Sequence, residues 1–371
     1  MAVPLLDLVT QYNTIREEIE PALRAVIERQ GFVMGPEIPA LEEALAELMG
    51  LKRGIACASG TDALLLPLRA LDLAPGDEVI APAFTFFATA GAIHNAGGRP
   101  VFVDVEPGTL NIAAEAIEAA ITPKTRAIVV VHLFGQMAAM ESIAAIAARH
   151  GLAVIEDGAQ SVGARRMIQG EWRTPGQLGT VATLSFFPTK NLGAWGDGGM
   201  ILTDDIPLAD RLARLRLHGG AKQYHHDEVG YNSRLDSLQA AVLLVKLRHL
   251  QQWNDARRAN AEYYAEALGG LPQVTLPVVD PANEHIWHQY TIEAERRDEL
   301  MAHLKAAGIG CAVYYPLPLH LQPCFAELGY RLGDLPVTEA AMLRVLSLPI
   351  YSELTQGQLD EVVTTVRRFY T

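Results

Sequence analysis

The sequence predicts an α/β protein: a large domain with a mostly parallel sheet flanked by helices, followed by a smaller C-terminal α/β domain. Three observations carry this prediction. Short apolar runs of strand length alternate with stretches of helical periodicity through the first two thirds of the chain. Several of those runs end in turns rich in Gly, Ser and Asp, as buried parallel strands do. After Pro272 the pattern restarts with a shorter set of elements. The 371 residues, half of them hydrophobic, can bury a large core.

The elements follow in order. Helical periodicity covers 15–28 and 40–48. A short strand at 54–57 runs into Ser59-Gly60-Thr61 and an apolar helix reaching Leu71. Strands are expected at 79–81, 101–104, 127–133, 152–155, 183–187 and 200–202, with a helical crossover at 140–149. A long helix is expected over 235–268, broken near Asn254. Beyond Pro272 come a strand at 287–292, a helix at 298–307, a strand at 311–315 and a terminal helix at 356–369. This divides the chain into a large domain, 1–245, and a small one, 246–371.

Three segments carry chemistry. Lys190 sits where the apolar run ending in Ser185-Phe186-Phe187 meets a turn containing Gly193, Gly196, Gly198 and Gly199. A lysine at a strand end beside glycines is a candidate Schiff-base nucleophile; taken alone it reads as a solvated loop residue. Asp157 follows the apolar run 152–155, near the carboxyl end of a strand, where open α/β sheets bind ligands. Such a carboxylate can keep the ring nitrogen of pyridoxal phosphate protonated; an Asp in that place serves equally as a helix N-cap. Ser59, Gly60 and Thr61 open a helix and offer two hydroxyls, a side-chain-free approach and unpaired N–H groups. That is a phosphate cradle, or an ordinary cap. Together, in order, the three supply a phosphate cradle, a pyridinium partner and a covalent lysine, which is the donor set of a pyridoxal-phosphate site.

With these residues in place the chain resembles the DegT/DnrJ/EryC1/StrS family of sugar aminotransferases, which have the aspartate-aminotransferase fold. Further matches are Gly35-Pro36-Glu37, Phe84-Thr85-Phe86, Glu156-Asp157-Gly158-Ala159-Gln160-Ser161, Asn232-Ser233-Arg234-Leu235-Asp236 and Tyr315-Pro316-Leu317-Pro318-Leu319-His320. The resemblance implies pyridoxal phosphate bound covalently to Lys190, with Asp157 on its ring nitrogen. It puts Gln160 near the ring hydroxyl and Phe86 stacked on the ring. Ser59, Gly60, Thr61 and Ser185 fall at the phosphate. It implies a homodimer in which Asn232 reaches the partner's phosphate and Arg234 the partner's substrate. Tyr314, Tyr315 and His320 fall at substrate positions. The implied reaction moves an amino group from L-glutamate to a UDP- or dTDP-linked 3-keto hexose. Many relatives have His where Tyr314 stands, which weighs against a uronic acid. The alternatives are a 4-keto-sugar aminotransferase, a dehydratase, which would replace Lys190 by His, and a non-catalytic regulatory protein.

Composition narrows the classes further. The net charge of −13 disfavours nucleic-acid binding. An anionic nucleotide sugar then needs local cations, for which Arg234, Lys222 and the histidines near 218–226 are candidates. Cys57, Cys311 and Cys324 show neither metal spacing nor a paired framework and suit a reducing cytoplasm. His225-His226-Asp227-Glu228 has the composition of a metal cluster, but adjacent histidines do not share a helix face, so no metal is expected. No basic n-region opens the sequence and no apolar run reaches membrane-spanning length.

Overall fold

The structure, a computed structural model, describes residues 2–220, 222 and 224–371. The chain begins with α1 (Leu8–Arg29) and α2 (Glu37–Leu48). Asp7 caps α1 by accepting from the N–H groups of Val9 and Thr10. The sheet region then runs β1 (Arg53–Cys57), α3 (Gly60–Ala70), β2 (Glu78–Pro82), α4 (Ala88–Asn95), β3 (Arg99–Val103), α5 (Ala114–Ala120), β4 (Thr125–Val131), α6 (Met140–His150) and β5 (Ala153–Asp157). A side hairpin, β6 (Arg165–Ile168) and β7 (Glu171–Arg173), precedes β8 (Val181–Ser185), β9 (Gly199–Thr203) and α7 (Ile206–Leu215).

The central sheet has seven strands in the order β1-β9-β8-β5-β4-β2-β3. The pairs from β8 through β3 are parallel, and β9 alone runs against its neighbours β1 and β8. Side chains alternate across it with period two. On one face Ile55, Val79, Val129, Ile155 and Ile201 pack with Leu64, Leu66 and Leu68 of α3, Ile93 of α4 and Leu212 of α7. On the other, Ile80, Ile128, Val130 and Val154 meet Met140, Ile143 and Ile146 of α6. Farther along that face, Ala182, Leu184, Met200 and Leu202 meet Ile38, Leu41 and Leu45 of α2. Leu66 is fully buried. Leu66→Ala is therefore expected to cost about 2–5 kcal/mol of stability, read as a lower denaturation midpoint of the full chain.

A second core follows α8 (Ser237–Leu247) and α9 (Leu250–Leu268). The elements that follow are β10 (Val274–Thr275), β11 (Asn283–Glu284), which pairs with β6 rather than joining this core, β12 (Tyr290–Ala294), α10 (Arg297–Ala306), α11 (Pro336–Arg344), β13 (Val345–Leu348) and α12 (Gln356–Tyr370). The antiparallel sheet β10-β12-β13 packs Ile292, Leu346 and Leu348 against Tyr264 of α9, Leu300 and Leu304 of α10, and Val362 and Val366 of α12. Val3, near the start of the chain, joins this core through a parallel bridge to Ile309.

Three expected elements differ. The helix expected over 235–268 breaks at Arg248–His249, not near Asn254; Asn254 stays inside α9, its side chain buried and bonded to Asn191 and Val162. The strand expected at 311–315 reduces to one bridge, Ala312 to Ser347, because the chain turns away and Tyr315 bonds Gln160 at the site. The strand expected at 287–292 begins at Tyr290.

Candidate active site

The three chemical segments converge where β1, β5 and β8 end. Ser59 is the N-cap of α3, extended at φ −161° and ψ 165°, and its Oγ accepts from Asp62 N at 3.1 Å. Two glycines let this helix end settle onto the sheet. A Cβ on Gly60 would stand 2.5 Å from Ser185 Cβ, and one on Gly199 would stand 2.3 Å from the Ser59 carbonyl oxygen. The first N–H groups of a helix have no intrahelical partner, and here Gly60 and Thr61 line a cavity of about 450 Å³ with Ser59 and Ser185. Ser233, fully buried, donates from Oγ to Asp62 at 2.7 Å and accepts from Ala58 N at 3.3 Å, anchoring its segment beneath α3.

Asp157 is the last residue of β5 and lines the same cavity. Its Oδ1 accepts from Ala159 N at 3.1 Å and its Oδ2 from Thr89 Oγ1 at 3.2 Å. Burial pushes its carboxyl above the usual range, against the pull of those bonds and of Lys190. Beneath it lies a wholly buried pair. His132 Nδ1 accepts from Ala138 N at 3.2 Å, so its Nε2–H donates to Glu156 at 2.8 Å. Glu156 also accepts from Gly179 N at 2.7 Å, which locks the strand end.

Lys190 sits in a tight turn after β8. Its N–H donates to the Phe187 carbonyl at 2.9 Å, and Ala194 N returns to the Phe186 carbonyl at 2.8 Å. A Cβ on Gly193 would lie 2.3 Å from the Pro188 carbonyl oxygen, so the turn requires glycine there. Although part of the residue reaches the surface, its amine faces the cavity. Burial lowers the amine to about 8, partly opposed by Asp157.

Gln160 is held from both ends. Its Oε1 accepts from Phe134 N at 2.7 Å and its Nε2 donates to the Tyr315 hydroxyl at 3.1 Å. Tyr314 and Tyr315 line the cavity, and Phe86 lies over it with its ring 6.4 Å from that of Tyr315. Phe86 is 59% exposed, the reverse of a core phenylalanine. Asn232, Arg234 and His320 are not brought into this chain's cavity. His320 is buried elsewhere, its Nε2 on Glu339 at 3.1 Å. In the 225–228 segment, His226 bonds the His218 carbonyl and Glu228 pairs with Arg211. Thr89 and His288 join the site with no prior sign in the sequence, since each contributes through folding rather than through a motif, and Asp197 enters with the glycine turn that carries Lys190.

A model of the DegT/DnrJ/EryC1/StrS aminotransferase family matches residues 13–367. The chain belongs to this family. It is similar to a protein of Geobacillus stearothermophilus named pleiotropic regulatory protein, at 51% identity over 100% of this chain and 99% of that one. It is similar to the UDP-N-acetyl-3-dehydro-alpha-D-glucosamine 3-aminotransferase of Acidithiobacillus ferrooxidans, at 46% identity over 99% and 98%. Among solved structures it is similar to S. venezuelae DesV in complex with a ketimine intermediate. That match has TM-score 0.96 and 42% identity, covering 100% of this chain and 98% of that one.

As a member of the DegT/DnrJ/EryC1/StrS family, the protein is an aminotransferase that depends on pyridoxal phosphate. The site suits that group. It joins a glycine-lined helix end for a phosphate, a buried carboxylate for a protonated ring nitrogen, an amine for a covalent bond and an exposed aromatic ring for a flat partner. Gly60→Ala tests the cradle. Its Cβ forces α3 away from Ser185, so cofactor affinity measured by equilibrium dialysis is expected to fall roughly tenfold or more. Among the described residues, no group of three or more His, Cys, Asp or Glu side chains is gathered to hold a metal ion. No described helix is long and apolar enough to cross a membrane.

Proposed function

We propose that this aminotransferase moves the amino group of L-glutamate to a nucleotide-linked 3-keto hexose, giving a 3-amino sugar. The observation that carries the reading is the shared cavity: Lys190 and Asp157 open into one space beside the α3 N-terminus. When bound, the cofactor supplies an electron sink at the reacting carbon and carries the amino group between the two substrates. Lys190 holds the resting site; its amine, once free, moves the proton at the substrate carbon. Asp157 would accept the ring N–H. Gly60 and Thr61 N–H groups, with the Ser59 and Ser185 hydroxyls, would bind the phosphate. Gln160 spends Oε1 on Phe134 and one Nε2 hydrogen on Tyr315, leaving one hydrogen to donate to the ring hydroxyl. Phe86, at the cavity beside Tyr315, would cover the ring. Tyr314 and Tyr315 face the substrate. His320 takes no part, since Glu339 occupies its Nε2.

The chain acts as a homodimer in this reading, with Asn232 and Arg234 crossing to the partner's site. Two features support it. Ser233 is pinned beneath α3 while Asn232 on one side is exposed, and Lys190 is the one lysine or arginine among the described cavity-lining residues. Carboxylate and diphosphate ligands need further positive charge, and Arg234 of a second copy supplies it. Three free cysteines suit the cytoplasm.

The similarity to the UDP-N-acetyl-3-dehydro-alpha-D-glucosamine 3-aminotransferase supports C3 over C4. The test converts the protein to its amino form with L-glutamate, then offers UDP- and dTDP-linked 3-keto and 4-keto sugars. Return of the visible absorption band of the lysine-bound cofactor with 3-keto sugars alone is expected. Return with 4-keto sugars alone replaces the proposal by the C4 reading.

A further inference from the structure

One buried side chain in the cavity has no part in the reading above. His288 is 5% exposed and lines the same space as Lys190. Its proton is placed by a chain of hydrogen bonds that starts in α9. Asn254 donates from Nδ2 to the Val162 carbonyl at 3.3 Å, so its Oδ1 is the acceptor. Asn191 donates from Nδ2 to that oxygen at 2.8 Å and to the Ile286 carbonyl at 3.1 Å, so Asn191 Oδ1 is in turn an acceptor. His288 Nδ1 meets Asn191 Oδ1 at 3.1 Å and must carry the proton. Its Nε2 is then a bare lone pair on a ring that lines the cavity. The backbone fixes the ring as well, because His288 N donates to the Phe134 carbonyl at 2.8 Å.

We propose that His288 is a positioning residue for Lys190: its Nε2 accepts a hydrogen bond from the free Lys190 amine and holds that amine inside the cavity. The inference rests on the reading of Lys190 as the covalent lysine. Burial, with the nearby cations Lys190 and Arg257, holds the imidazole well below its usual range, so it stays neutral. Arg257 itself is committed to the Trp287 and Ile350 carbonyls at 3.1 and 2.7 Å. The other titratable groups lining the cavity are Asp157, Asp197, Tyr314 and Tyr315. Burial raises both tyrosines, leaving them neutral as well. A neutral acceptor stabilises an ammonium donor without repelling it, and so raises the amine's basicity above what burial alone would set.

The experiment follows capture of added pyridoxal phosphate by the full chain stripped of cofactor, from the rate at which the visible band appears as pH is varied. Only the neutral amine attacks, so the rate rises with pH and levels above the amine's midpoint, about 8 in the unaltered chain. In His288→Phe the midpoint is expected to fall by about one pH unit. In His288→Gln, whose amide can donate to Asn191 and accept from Lys190, the midpoint is expected to stay near that of the unaltered chain. Circular dichroism checks that each variant folds. Equal midpoints in folded His288→Phe and the unaltered chain would overturn the proposal. Should His288→Phe not fold, the ¹⁵N shift of Nε2 decides. It is expected to move as Lys190 titrates in the unaltered chain and to stand still in Lys190→Ala; a static shift in both overturns the proposal. Failure of the unaltered chain to form the band at all is a different result, and removes the reading of Lys190 itself.

Discussion

Lys190→Ala is expected to abolish amino transfer, by roughly ten-thousand-fold or more, while leaving the fold intact. The side chain does two jobs that no neighbour can take over. In the proposed mechanism it supplies the one amine among the described cavity-lining residues and, once free, the base at the reacting carbon. The structural cost of losing it is small. The backbone bonds from Lys190 N to Phe187 and from Ala194 N to Phe186 do not involve the side chain, and Gly193 keeps the turn. Burial already disfavours the charged amine, so its removal takes little from the cofactor-free chain. A thermal melt of that chain should therefore barely move. Activity with L-glutamate that survives in this variant would refute the mechanism.

Asp157→Asn is expected to lower turnover by roughly a hundred- to a thousandfold with the protein folded. Asparagine matches the carboxylate in shape and keeps one oxygen to accept from Ala159 N–H. It brings no negative charge to hold a protonated ring nitrogen. The effect on stability runs the other way. In the cofactor-free chain burial raises the Asp157 carboxyl above its ordinary value. The cost of holding it charged is absent at pH below the unfolded carboxyl's range and fully present above the folded one. At neutral pH the cofactor-free Asn variant should therefore melt above the unaltered chain, with the difference vanishing in acid. A variant that is both less active and less stable at neutral pH would make Asp157 a structural residue.

Lys190, Asp157 and the Ser59–Thr61 cradle are legible in the sequence because each follows a short apolar strand, and strand ends in a parallel sheet face one way. Glycine marks the cradle too: Gly60 and Gly199 stand where a Cβ would collide with Ser185 or Ser59. The strands themselves are legible from apolar runs, with bounds set by pairing rather than by pattern; β5 extends through Asp157 because it pairs with β4 and β8 there. Other parts depend on contacts distant in sequence. Tyr315 leaves its expected strand to meet Gln160, 155 positions away. His320 sits in a family motif yet folds towards Glu339. His288 looks like part of a strand, and its tautomer is set only by Asn191 and Asn254, which no local pattern connects to it.

The most direct test of the central claim is the absorption spectrum of the purified, cofactor-loaded protein before and after L-glutamate. The account predicts a visible band that requires Lys190 and gives way to the shorter-wavelength absorption of the aminated cofactor when glutamate is added. A protein that binds pyridoxal phosphate without that band, or whose band persists unchanged in Lys190→Ala, would contradict it.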